Sequence, residues 1–94
     1  MSDFRPTISI IVTGRVQGVW FRASAKNEAE GLGLIGFVKN MSNGAVYIEA
    51  TGGPLELDRF TNWCTKGPDL ARVDDVEVRQ IAQTHLAGFE VLRK

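Results

Sequence analysis

TISIIVTGRVQGVWFRASAKNEAEGL, residues 7–32, changes its apolar period midway, and that change decides the fold. Residues 7–13 alternate at first and then turn solidly apolar at Ile10-Ile11-Val12, the pattern of a strand buried largely on both faces. Gly14 ends the strand. From about Phe21 the apolar residues Phe21, Ala25, Ala29 and Leu32 fall at helical spacing. Lys26, Asn27, Glu28 and Glu30 lie outside that stripe, and Gly31 or Gly33 stops the helix. A strand followed by a helix opens the chain.

The rest continues in kind. Residues 34–39 read as a second strand, Asn43-Gly44 as a hairpin turn, and residues 45–50 as a third strand. Gly52-Gly53-Pro54 breaks that strand and opens a second helix, with proline where the first turn tolerates it. Leu57, Phe60 and Cys64 share one stripe of this helix with Trp63 beside it, and Gly67-Pro68 closes it. Residues 73–81 are strand-like, and Phe89–Arg93 adds a possible short final strand. The order β-α-β-β-α-β predicts an α+β chain: a ferredoxin-like two-layer sandwich with a mixed, mainly antiparallel sheet and both helices on one face. One domain over residues 1–94, with its core at about 7–93, accounts for the length, and no linker or low-complexity stretch divides it.

Composition excludes several classes. The 94 residues carry 11 Lys+Arg and 11 Asp+Glu, with 44% hydrophobic and 23% charged residues, which rules out a disordered chain. The longest apolar run falls far short of the roughly 20 residues of a spanning helix. Neutrality argues against nucleic acid as a partner. One cysteine, Cys64, makes no internal disulfide, and one His with one Cys makes a zinc site of the usual type untenable. The N-terminus lacks a signal-peptide layout, so the cytoplasm is the expected location. Charge is unevenly spread all the same: residues 1–40 hold five basic and three acidic side chains, among them Arg15, Arg22, Lys26 and Lys39.

Some apparent motifs carry nothing. Gly31-Leu-Gly-Leu-Ile-Gly36 satisfies the dinucleotide-binding pattern in form only, because it follows a helix and enters a strand. Gly36-Phe37-Val38 echoes a fragment of an RNA-recognition motif whose remaining residues are missing. Cys64 reads as core, His85 as surface, and Asp69, Asp74, Asp75 and Glu77 as a solvated acidic face.

The chemistry lies in Gly14-Arg15-Val16-Gln17-Gly18-Val19-Trp20-Phe21-Arg22, between a strand and a helix start. Successive backbone N–H groups in such a loop converge into an anion cradle, and the helix adds its own unpaired N–H groups and positive dipole end. Arg22 enters at the first turn, an unfavourable place for a cation unless an anion accompanies it. Its guanidinium binds two oxygens of a phosphate at once. By position alone Arg22 reads equally as a solvated residue, and Asn40, just before a hairpin, as one bonded to its own backbone. Phe21 belongs to the helix stripe, whereas Trp20 faces away from it, toward a pocket mouth or toward solvent.

Val12-x-Gly14-x-Val16-Gln17-Gly18-Val19-x-Phe21-Arg22 resembles the first motif of the acylphosphatase family. Gly36-Phe37-Val38-Lys39-Asn40, followed by Gly44, Val46 and Gly52, resembles the second. The resemblance runs from about Ile8 to the end of the chain. It implies hydrolysis of the carboxyl-phosphate bond of acyl phosphates, with no metal and no cofactor. It also implies that backbone amides of Arg15, Val16, Gln17, Gly18, Val19 and Trp20 hold the phosphate, that Arg22 binds it, and that Asn40 orients the attacking water.

The residues agree when read independently. Neither motif holds a Ser, Cys, His, Asp or Glu to serve as nucleophile or general base. Such a site suits an acyl phosphate, whose leaving group is a carboxylate already stable near neutral pH. Positioning and charge stabilisation then suffice for phosphoryl transfer. The expected partners are a small acyl phosphate and inorganic phosphate or another small anion, with neither nucleic acid nor membrane. A chain that begins at Met1 and ends after its last strand is expected to be complete and monomeric. The alternative is a non-catalytic phosphate- or anion-binding regulatory module on the same fold.

Overall fold

The computed structural model describes residues 5–83 and 87–93. His85, read above as surface, lies outside them. The elements run β1 (Thr7–Arg15), α1 (Phe21–Gly31), β2 (Ile35–Asn40), β3 (Val46–Thr51), α2 (Pro54–Cys64), β4 (Arg72–Ile81) and β5 (Phe89–Leu92). They form one five-stranded sheet in the order β4-β1-β3-β2-β5. β1 pairs antiparallel with β3 and β4, β3 pairs antiparallel with β2, and β5 runs parallel to β2. This is the ferredoxin-like sandwich with its fifth strand present.

The strand order dictates where the loops go. Because β3 lies antiparallel between β1 and β2, those two strands run parallel to each other, and β5 shares their direction. The carboxyl ends of β1, β2 and β5 therefore meet at one edge of the sheet.

The helices cover one face. Phe21, Ala25 and Ala29 of α1 and Leu57, Phe60 and Cys64 of α2 are buried, and they pack on Ile8, Ile10, Val12, Val38, Val46 and Ile48 of the sheet. Trp63 joins the two helices: its ring lies 5.3 Å from that of Phe21 and stacks on Phe60 at 6.1 Å. Phe60 in turn meets Phe89 of β5 edge-on at 6.1 Å, so one aromatic chain ties α1, α2 and the last strand. Cys64 is a core residue. Burial, with a smaller contribution from Glu28, pushes its thiol from near 9 up to about 12, which keeps it protonated and inert.

Local chemistry explains the element ends. Pro54 sits in the first turn of α2 after an extended Gly53. At the end of α1 the N–H of Gly33 bonds the carbonyl of Glu30 and that of Leu34 bonds Ala29. With Gly33 at φ 72° this is a Schellman stop, so Gly33 and not Gly31 ends the helix. β2, β3 and β4 are each displaced or extended by one residue from the sequence expectation, and two larger departures have a local cause. β1 runs past Gly14 to Arg15, because a bulge between Thr13 and Gly14 absorbs the glycine without ending the pairing with β4. Asn43-Gly44 sits inside a longer Met41–Ala45 connection, where Asn43 Oδ1 accepts from the N–H of Ala45 at 3.0 Å.

The uncovered face of the sheet carries the pair Phe37 and Tyr47 at 6.0 Å, with Lys39 Nζ 5.6 Å from the Tyr47 ring centre. Tyr47 donates to Glu49 at 2.6 Å; burial first and that carboxylate second push its phenol up to about 12. Asp69, Asp74, Asp75 and Glu77 are exposed, and Asp74 and Glu77 pair with Arg72 and Arg79 on their own strand.

Phe60 is fully buried where the aromatic chain joins both layers. Phe60→Ala is expected to lower the stability of the fold by about 3–5 kcal/mol, measured by urea unfolding.

Candidate active site

The site begins at the β1 bulge. Gly14 has φ 126°, and a side chain there would run into the backbone carbonyl of Arg72, so glycine alone lets the strand turn at this point. Val16 and Val19 are buried and pin the following loop to the core. Gln17 points the other way, and its Nε2 donates to the carbonyls of Met41 and Ala45, each at 2.8 Å. One carboxamide thus stitches the β1–α1 loop to the base of the β2–β3 connection, just beyond Asn40.

The loop delivers the chain to α1 with Trp20 as the residue before the helix, in a left-handed conformation at φ 67° and ψ 20°. The first helical bond runs from the N–H of Ser24 to the Trp20 carbonyl at 3.0 Å. Among the described residues, none of the N–H groups from Gln17 to Ala23 has a hydrogen-bond acceptor. No side chain caps α1 and no acidic residue lies in its first turn. Gly18, Trp20, Phe21 and Ala23 of this segment line the same cleft as Arg22, beside the positive dipole end of the helix. Arg22 is half-buried, and its Nη1 donates to the Leu92 carbonyl of β5 at 3.2 Å. Among the described residues no carboxylate pairs with it.

Asn40, the last residue of β2, closes the cleft from below. Its Oδ1 is buried and has no hydrogen-bond partner among the described residues, an arrangement that costs about 1–3 kcal/mol when nothing bonds the oxygen. The cleft has a volume of about 320 Å³ and is lined by Val16, Gly18 and Trp20 of the loop, Phe21, Arg22 and Ala23 of α1, Asn40 of β2, and Val91 and Arg93 at β5. All of it sits at the edge where β1, β2 and β5 end.

Of the residues singled out from sequence, Val16, Gly18, Trp20, Arg22 and Asn40 share this lining. Arg15, Gln17 and Val19 stand outside it. Arg15 pairs with Arg72 as the last residue of β1, Gln17 turns to the hairpin, and Val19 is core. Val91, Arg93 and the Leu92 carbonyl were absent from the sequence expectation. Their place follows from the parallel pairing of β5 on β2, which no local pattern announces. The Gln17 stitch was missed as well, because its acceptors lie 24 and 28 residues away.

The lining offers amide and guanidinium donors, one carbonyl acceptor and an apolar wall. It holds no Ser, Thr, Cys, His, Asp or Glu. Such a set binds a small dianion and positions a neutral molecule against it, without a side-chain nucleophile or base.

Known proteins are similar to this chain in sequence and in fold. A family model described as acylphosphatase matches residues 8–91. The chain is 46% identical over 87 residues to an acylphosphatase of Methylococcus capsulatus, across 92% of this chain and 95% of that one. Its structure is similar to that of an acylphosphatase from Coxiella burnetii, with a TM-score of 0.90 and 38% identity over 94% of this chain and 93% of that one. An acylphosphatase from Bacillus subtilis follows with a TM-score of 0.89 and 34% identity over 93% and 98% of the two chains.

Gln17→Ala leaves the Met41 and Ala45 carbonyls without this donor and is expected to lower stability by about 1–3 kcal/mol. Gln17→Glu, of equal size but with a carboxylate facing two carbonyls, is expected to lower it further. Urea unfolding of the three proteins checks the order.

Proposed function

Because this chain belongs to the acylphosphatase family, we propose that the cleft at the carboxyl ends of β1, β2 and β5 is where it hydrolyses its substrate. The protein is an acylphosphatase, a hydrolase of acyl phosphates. The observation that carries the assignment of the cleft is the buried, unpartnered Oδ1 of Asn40 in the same lining as Arg22.

Each residue has a role that its chemistry allows. The N–H groups of Arg15, Val16, Gln17, Gly18, Val19 and Trp20 and of the α1 start donate to the phosphoryl oxygens. Arg22 forks onto two of those oxygens, and its bond to the Leu92 carbonyl fixes the orientation of the guanidinium. Phosphoryl transfer spreads charge over these oxygens in the transition state, where preorganised donors count most. Asn40 Oδ1 accepts a hydrogen bond from water and sets it in line behind phosphorus.

The water oxygen bonds to phosphorus while the bond from phosphorus to the acyl oxygen breaks. The carboxylate leaves as an anion and needs no general acid, because its conjugate acid has a pKa near 4. One water proton passes to a phosphate oxygen of the substrate, which explains how a lining without a basic side chain suffices. That lining also offers no carboxylate or imidazole to hold a metal ion. The partners are the acyl phosphate and the inorganic phosphate it releases.

The protein acts as a cytoplasmic monomer. Among the described residues no helix is long and apolar enough to cross a membrane, and one apolar cluster runs from Ile8 to Phe89. A phosphate-binding module without turnover would use the same cradle, but Asn40 would then have no function in it.

Phosphate release from acetyl or benzoyl phosphate in EDTA tests the whole reading; tight phosphate binding without release would favour the module. Arg22→Ala is expected to lose about 10³-fold or more in kcat/KM, with weakened phosphate inhibition. Asn40→Ala is expected to lower kcat by about 10²–10³-fold while inorganic phosphate still competes nearly as well. Parent-like hydrolysis by Arg22→Ala would overturn the assignment of the cleft.

A further inference from the structure

Trp20 is the residue the fold explains least. Its backbone sits at φ 67°, a conformation that asparagine or glycine adopts with less strain than a bulky aromatic residue. Strain of this kind is ordinarily offset by packing, yet the indole is 75% exposed. The contrast with Trp63 is direct: that ring stacks on Phe60 and meets Phe21, whereas no such ring pair involves Trp20 among the described residues. The left-handed backbone carries the chain into α1, but that turn does not need an indole.

What the indole does have is a position. It lines the same cleft as Arg22 and Asn40, and being largely exposed it stands at the mouth. The cleft of about 320 Å³ holds about ten molecules the size of water, at ~30 Å³ each. A phosphate group with its five heavy atoms takes the room of only about two or three of these, so most of the cleft is left to the acyl group. The methyl of acetyl phosphate leaves that space largely unfilled, whereas the ring of benzoyl phosphate reaches toward the mouth, beside the apolar Val91 and the exposed Trp20. Phosphate recognition is complete at the inner end, so the residues at the mouth see only the acyl group.

We propose that Trp20 forms an acyl-group subsite that favours acyl phosphates with an aromatic or bulky apolar acyl group. The subsite rests on the reading of this cleft as the place of acyl phosphate hydrolysis. Trp20 is a specificity residue: its backbone belongs to the phosphate loop, and its side chain selects the substrate by offering the acyl ring an offset or edge-on aromatic partner. The selection falls mainly on KM, because the ring lies away from the reacting atoms.

The experiment compares kcat/KM for benzoyl and acetyl phosphate in the parent, in Trp20→Asn, which keeps a residue that tolerates the left-handed backbone, and in Trp20→Phe. The benzoyl-to-acetyl ratio is expected to fall about five- to tenfold in Trp20→Asn, through KM for benzoyl phosphate, and to be largely restored in Trp20→Phe. Using a ratio removes any loss common to both substrates from a disturbed loop. A ratio unchanged within about twofold in Trp20→Asn would overturn the subsite while leaving the active site standing. A parent that hydrolyses neither substrate would overturn the active-site reading itself, and the subsite with it.

Discussion

The insertion of β3 between β1 and β2 is the constraint on which the rest of the molecule depends. Its antiparallel ladders to both neighbours force β1 and β2 to run parallel, and β5, parallel to β2, adopts the same direction. Three carboxyl ends then meet at one edge of the sheet. In open α/β sheets the loops beyond carboxyl ends are where ligands bind, because helix starts follow them. Here the loop after β1 and the start of α1 supply one wall of the cleft, β2 supplies Asn40, and β5 supplies the Leu92 carbonyl that holds Arg22.

A chain of zero net charge nevertheless gathers positive potential at that edge. The start of α1 has no acidic residue and no side-chain cap, and Arg22 has no carboxylate partner among the described residues. Two described ion pairs, Arg72 with Asp74 and Arg79 with Glu77, lie on exposed β4, where they contribute little to stability. Neutrality of the whole chain therefore says nothing against one small anion at that edge.

Local rules are broken at the cleft. The core obeys them: apolar stripes are buried, glycine ends α1, and proline opens α2. At the cleft a bulky residue takes a left-handed backbone, a buried carbonyl oxygen stands without a partner, and an arginine occupies a helix start. Each raises the energy of the free protein by about 1–3 kcal/mol at most, and each makes sense against a phosphorylated ligand and its attacking water. The Gln17 stitch and the aromatic chain through Phe60 keep the surrounding structure rigid enough to hold them.

Sequence alone determined the elements and drew attention to the loop between β1 and α1. Periodicity and breaker residues are local, so the stripes Phe21-Ala25-Ala29 and Leu57-Phe60-Cys64 matched the buried faces of both helices. Two short motifs also brought Arg22 and Asn40 forward before any geometry was known. Tertiary structure decided what depends on pairing between distant segments: the parallel docking of β5 that brings Val91 and Arg93 to the cleft, the Gln17 bonds across the hairpin base, and the exposure of Trp20 at its mouth. These contacts span up to 70 residues of chain. Their register is set by strand pairing and core packing acting together, and no run of neighbouring residues encodes it.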